Sequence, residues 1–300
     1  MSHRSFRSAS AHPLAEVFGY PTDNMSSAAQ RTRSNRLCPY NNRVPNCTKD
    51  KAENPLGVCS IFYDDSAFPV ITCPIRFRQD WLVAEDAARF FFPAGTPWTS
   101  LTEVRLNDAN GNTAGNIDVV LVSYDDRGRL LDFGALEIQS LYISGNIRRP
   151  FEYYLESPEE RFDMNWRAQP NYPRPDFLSS SRKRLAPQLL FKGGILNSWE
   201  KRLAVALDSH FLATLPILPT TKACDAEMAW LAYDLEYDVE SKRFHLVRRQ
   251  TIYSSFQLTL SRITVPEPGP IEQFLSYLQG KLDEKLESSP DAPALGSSLT

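Results

Sequence analysis

Histidine is scarce in this 300-residue chain (His3, His12, His210 and His245), lysine stands at only nine positions, and no apolar run approaches membrane-spanning length. Each scarcity removes a class of function. None of the histidines sits in an H-E-x-x-H arrangement or beside a cysteine, so a zinc hydrolase and a Ser-His-Asp enzyme both lack their parts. A membrane span needs about 18 or more apolar residues in a row. The serine-rich start MSHRSFRSASAH also lacks the apolar segment of a signal peptide, so the sequence predicts a cytoplasmic protein. Glycine-rich phosphate loops, internal repeats and low-complexity tracts are absent, and so is the CxxC pitch of a zinc ribbon.

What is there instead is arginine, which supplies 24 of the 33 basic residues. The net charge of -3 conceals an uneven distribution. Up to Lys49 there are seven basic residues (Arg4, Arg7, Arg31, Arg33, Arg36, Arg43, Lys49) against Glu16 and Asp23 alone. Planar guanidinium forks suit phosphates and guanine edges. Arg31, Arg33, Arg36, Arg43, Arg148, Arg149, Arg182 and Arg184 stand in loop-like or basic settings and are the candidates for DNA contact. Residues 1–36 read as a basic arm, with a short helix around PLAEVF.

Four of the five cysteines, Cys38, Cys47, Cys59 and Cys73, fall in a turn-rich segment over residues 37–76. Little aliphatic sequence lies between Leu37 and Leu56 to pack a core, so a bound metal could supply the missing stability. Four thiolates suit Zn²⁺ or a single iron; the alternative is four separate buried thiols. Cys224 is expected in the core, as most cysteines are.

The densest chemistry lies in NIDVVLVSYDDRGRLLDFGALEIQS, residues 116–140. Two β-branched and aliphatic runs flank a turn-forming DDRG, which predicts a hairpin. Closure around Arg127 and Gly128 places Asp118 opposite Glu137, and a period of two puts Glu137 and Gln139 on one face. Opposed carboxylates repel one another, but they hold a divalent cation well. Mg²⁺ takes one or two carboxylates in an octahedral oxygen shell, and the Ile138 carbonyl is a third ligand candidate. Ordinary strand-end acids in a slightly different register are the plain alternative.

Elsewhere, helical spacing runs from Phe77 to Pro93, and TPWTSLTEVRLND opens with cap-forming residues and carries Glu103. The stretch from Pro175 to Leu218 reads as helices broken at Pro187 and at Gly193 with Gly194, including a helix through His210. MAWLAYDLEYD and the sequence after it predict a strand pair turning near Glu240 to Lys242. A last helix, IEQFLSYLQGKLDEKLE, precedes a disordered tail over residues 288–300. The catalytic domain is expected over residues 77–287.

The phrase LTEVRLNDANGNTAGNIDVVLVSYDDRGRLLDFGALEIQ, the four-cysteine segment before it and, more diffusely, AEMAWLAYDLEYD resemble the NotI family of type II restriction endonucleases. That family belongs to the PD-(D/E)XK nuclease superfamily. The resemblance extends from about Leu37 to Thr264. It implies an α/β fold with a mixed central sheet flanked by helices, plus a small N-terminal metal-binding segment. It implies catalytic Glu103, Asp118, Glu137 and Gln139, where Gln139 replaces the lysine of the wider superfamily, as elsewhere in the family. It also implies Mg²⁺ at Asp118, Glu137 and Ile138 and one structural iron, with zinc as the chemical alternative, on Cys38, Cys47, Cys59 and Cys73. Its partners would be double-stranded DNA, a second copy of the chain in a homodimer, and a methyltransferase protecting the same site in a bacterial host. The expected reaction is Mg²⁺-dependent cleavage of both strands of a GC-rich palindrome with four-base 5′ overhangs. The modest chain length favours the six-base site CGGCCG, cut after the first C. A non-cleaving DNA-binding regulator and a repair or structure-selective nuclease with the same core are the competing readings.

Overall fold

The computed structural model describes residues 12–41, 45–51, 53–63 and 68–287. The chain divides into two units, Met1–Thr264 and Val265–Thr300.

In the first unit, four short strands, β1 (Leu14–Val17), β2 (Tyr20–Pro21), β3 (Val58–Phe62) and β4 (Pro69–Ile71), form an antiparallel sheet in the order β2-β1-β3-β4. The helix expected around PLAEVF is therefore a strand. All four residues of β1 are buried, so its sequence shows neither alternation nor a helical stripe. The segment read as a basic arm is folded from residue 12 onward. In α1 (Ser27–Ser34) the Arg33 side chain is buried and donates to the carbonyl oxygens of Asn24 (2.8 Å) and Pro21 (2.7 Å). The rest of the arm up to residue 11, Arg43 and the tail beyond residue 287 lie outside the described residues.

A six-stranded mixed sheet forms the centre of this unit. Its strands are β5 (Trp98–Asn107), β6 (Thr113–Tyr124), β7 (Leu130–Gln139), β8 (Leu203–Asp208), β9 (Met228–Asp238) and β10 (Arg243–Ser254), in the order β10-β9-β8-β7-β6-β5. β8 runs parallel to both β7 and β9, and the remaining pairs are antiparallel. On one face α2 (Leu82–Phe91) packs Val83, Ala87 and Phe91 against Leu121, Leu136, Ala206 and Leu231. On the other face Leu185, Leu189 and Leu196 meet Val120, Ala135, Val205 and Trp230. Near the N-terminal sheet, α3 (Arg148–Glu156) contributes Phe151 and Tyr154 to a separate core with Leu14, Val58 and Ile61.

Two expectations fail in this region. LAVALD is not helical: β8 is buried at every residue and lies between two parallel neighbours. A short, wholly apolar run has no period, so pattern alone cannot separate a covered strand from a covered helix. His210 instead belongs to α4 (Ser209–Thr214), capped by Asp208. Pro187 and the glycine pair do not break the preceding helix either. Residues 177–198 run on through α-helical Phe177–Ser180, Ala186–Gln188 and Gly194–Ser198 with π-helical Ser181–Leu185 and Leu189–Gly193 between them. Wider π turns make room for a proline ring that would otherwise collide with a carbonyl one turn back. The unit closes with α5 (Phe256–Thr264). In the second unit, α6 (Ile271–Glu287) agrees with the expected last helix, and none of its residues is buried.

Candidate active site

The site grows from the hairpin of β6 and β7. Gly128 has φ +74° in the turn, a left-handed value that a residue without Cβ accepts freely. The ladder pairs Val119 with Leu136 and continues to Ser123 with Asp132, which is the register expected from closure at Arg127 and Gly128. Beyond Val119 the Asp118 carboxylate takes over, and its Oδ2 accepts from the Ile138 backbone N–H at 2.8 Å. On β5 the pairs Thr102–Val119 and Val104–Ile117 leave Glu103 between them, in the row of Asp118. Glu103 is exposed and has φ +56°, a strained value for a residue with a side chain. It lies on a strand, not after a helix cap.

Glu137 and Gln139 share the face covered by residues 177–198, where Gln188 and Lys192 meet them. Lys192 Nζ lies 2.6 Å from Glu137 Oε2 and donates to the Asn116 carbonyl at 2.8 Å. Gln188 Nε2 donates to the same Glu137 oxygen at 2.8 Å, and the Gln188 carbonyl oxygen accepts from the Gln139 amide. Arg184 donates to Ser140 Oγ at 3.2 Å. Glu137 is 2 % exposed, and burial, reinforced by the Asp118 charge, pushes its carboxyl up to about 8 against the pull of Lys192 and Arg184. Glu137 Oε1 and Gln139 Oε1 are buried without a hydrogen-bond partner among the described residues. Unpartnered buried oxygens are costly, and a carboxylate and an amide two residues apart on one strand suit a divalent cation and a water that it brings. Sequence reasoning missed Gln188 and Lys192. The available signal was the repeat of four that links Arg184, Gln188 and Lys192 and lines them up along one edge of the helix.

Residues 16–246 match the family profile described as Restriction endonuclease NotI. The chain belongs to that family. No curated protein sequence matches it. Family and sheet together make it an enzyme of the PD-(D/E)XK nuclease superfamily: the mixed central sheet with helices on both faces is that core.

The cysteines depart from expectation. Cys38, Cys47, Cys59 and Cys73 line one cavity of about 10 Å³, but a clustered four-cysteine metal segment is not seen. Among the described residues, the three-ligand group whose donor atoms lie within 4.8 Å of one another is Asp208, His210 and Asp234. The cysteines come from separate places, with Cys59 on β3 and the others on loops. Burial pushes the Cys38 thiol up to about 11 and raises Cys47 and Cys59 as well, so these thiols keep their protons unless a cation replaces them. The donor set suits a soft ion, while the sulfurs are not drawn together around one. Cys224 is exposed, not buried in the core.

Asp208, His210 and Asp234 could hold a divalent cation, although their donor atoms are engaged. Asp208 Oδ1 accepts from the His210 backbone N–H at 2.9 Å and lies 3.0 Å from His210 Nδ1, and Oδ2 accepts from the Ile71 backbone N–H at 2.9 Å. Asp234 accepts from the Ser209 hydroxyl and from Arg249 Nε. Of the arginine candidates, Arg33 is consumed inside the fold and Arg148 is paired with Asp50. Arg31, Arg36, Arg149 and Arg182 are exposed.

Proposed function

We propose that the protein is a type II restriction endonuclease that hydrolyses both strands of a GC-rich palindrome in the presence of Mg²⁺. The observation that carries this reading is the row of Glu103, Asp118 and Glu137 on three adjacent strands, with Gln139 beside it and buried, unpartnered oxygens on Glu137 and Gln139. Asp118 and Glu137 would hold the ion, with the Ile138 carbonyl as a further ligand. Bound there, a divalent cation supplies charge stabilisation at the scissile phosphate and favours deprotonation of the attacking water. Gln139 does not titrate, so it orients rather than abstracts: its Oε1 can accept from that water. Glu103, exposed at the rim, can receive a proton or a second ion.

The target we favour is CGGCCG with four-base 5′ overhangs, cut by a homodimer whose two-fold axis coincides with that of the DNA. A methyltransferase would protect the same site in the host. Arg31, Arg36, Arg149, Arg182 and Arg184 remain the base- or phosphate-contacting candidates.

The function is tested with Asp118→Asn and Glu137→Gln. Each should reduce cleavage by about two or more orders of magnitude. Binding in Ca²⁺ should persist, because affinity comes from contacts elsewhere along the DNA. Near-normal cutting by either variant removes the reading.

A further inference from the structure

Behind the hairpin, on the face of the sheet covered by α2, lies a pocket of about 200 Å³. Val83 and Ala84 of α2 line it together with Val119, Leu136 and Ile138 of the hairpin. Those three strand residues alternate with Asp118, Glu137 and Gln139, so the pocket and the catalytic row use opposite faces of the same strands. Thr102, paired with Val119, and Ser100 bring two hydroxyls from β5, the edge strand of the sheet. The volume falls below the roughly 300–1,000 Å³ of a drug-sized site and suits a single ring system.

Two further lining residues are not explained by packing. Arg78 is half-buried and has no hydrogen bond, ion pair or ring contact among the described residues. Arg76, two residues earlier, is fully engaged by Glu16, Gln79 and the Phe244 carbonyl. A guanidinium left open at a pocket offers a planar fork to an anion. Trp81 is the second. Asp80 and Trp81 have φ +52° and +60°, left-handed values that strain residues with side chains, a bulky one most of all. Gln79 pins this turn, because its Oε1 accepts from Arg76 Nη1 at 2.6 Å and from the Leu246 backbone N–H at 3.0 Å. The Trp81 side chain lines the pocket at 48 % exposure instead of joining the core.

We propose that this pocket binds a single nucleotide, with its base against Trp81 and the aliphatic side chains and its phosphate on Arg78. An aromatic face, an apolar interior and one open guanidinium together recognise a planar base that carries an anion. The choice of a nucleotide over another aromatic anion rests on the nuclease reading above: Thr102, Val119 and Leu136 pair across the sheet one residue away from the row of Glu103, Asp118 and Glu137. A nucleotide turned out of the DNA beside the cut and a free mononucleotide offer the same chemistry.

The test is a titration of the full-length protein with deoxyguanosine monophosphate (dGMP) in EDTA, followed by ligand-observed NMR. A dissociation constant on the order of 1 mM or tighter is expected. Trp81→Ala should weaken binding about tenfold through loss of a base stack, and Arg78→Gln about tenfold through loss of a charge-assisted contact. Trp199→Ala, which removes an exposed tryptophan outside the pocket, should leave it unchanged. Deoxyguanosine, which lacks the phosphate, should bind the unaltered protein about tenfold more weakly than dGMP. That comparison stands even if a variant fails to fold by circular dichroism. A saturating CGGCCG duplex in Ca²⁺ separates the two sources: dGMP is displaced where the strand supplies the occupant and stays bound where the occupant is free. Absence of dGMP binding, binding that a folded Trp81→Ala or Arg78→Gln leaves unchanged, or equal affinity for deoxyguanosine overturns the pocket. Because dGMP binding needs neither Mg²⁺ nor cleavage, such a result leaves the nuclease reading standing, and a protein that binds dGMP as expected but cuts no DNA loses only that reading.

Discussion

Burial beside Asp118 makes the ionised form of Glu137 costly, and Lys192 and Arg184 only partly offset that cost, so its carboxyl titrates near 8 instead of the ordinary 4.5. In the unfolded chain the group is ionised above about 4.5, while in the folded chain it keeps its proton until about 8. The folded state therefore binds more protons between these values, and stability falls as pH rises across that window. Replacing the carboxylate by an amide removes this slope. Thermal unfolding in EDTA should show Glu137→Gln gaining on the unaltered protein progressively from pH 5 to pH 8, with little difference at pH 5. A constant offset at both pH values would contradict the titration. At this scale much of the site was legible. Asp118, Glu137 and Gln139 follow from the alternation of a strand and the position of a turn. Lys192 does not, because a charged residue inside LLFKGGIL shows its partner only once the helix is packed on the sheet.

Gly134 shows how closely the central strands and α2 approach one another. A Cβ at this position would lie 2.4 Å from Cγ of Phe91, so the ring of α2 rests directly on the backbone of β7. Gly134→Ala should destabilise the protein by about 1–3 kcal/mol in urea unfolding, the usual range for overpacking. A neutral result would mean that α2 can slide off the sheet. The elements differ in how readable they are, and the reason is burial. The hairpin of β6 and β7 and the pair β9 and β10 carry turn formers between strand-like runs, and their positions agree with expectation. β1 and β8 are buried at every residue, and the one acid in each, Glu16 and Asp208, is buried too, so neither shows the alternation that would reveal a period. The mixed helix over residues 177–198 looks broken in sequence, because proline and paired glycine normally end helices and the π turns that accommodate Pro187 leave no mark in composition.

Across the first unit, the N-terminal sheet is fastened to the nuclease sheet by a buried charge network. Arg76 Nε lies 3.1 Å from Glu16 Oε2 with both side chains fully buried, Arg76 Nη2 donates to the Phe244 carbonyl on β10 at 2.8 Å, and the guanidinium stacks 4.3 Å from the centre of the Tyr40 ring. Arg76→Met strands a buried carboxylate and should cost about 3–5 kcal/mol, whereas the double variant with Glu16→Gln should recover much of the loss. Equal losses in the two variants would show that packing, not charge, makes this joint.

Mg²⁺-dependent cutting at a GC-rich palindrome can be read out by digesting a long DNA of known sequence with the purified protein and sequencing the fragment ends. Ends confined to CGGCCG, with four-base 5′ overhangs, are expected in Mg²⁺ and should be absent both in EDTA and with Asp118→Asn. Ends at the outer-extended site GCGGCCGC alone would keep the nuclease and lengthen its target. Ends that share no palindrome would rule out a restriction endonuclease, and cutting that survives Asp118→Asn would rule out catalysis at this hairpin.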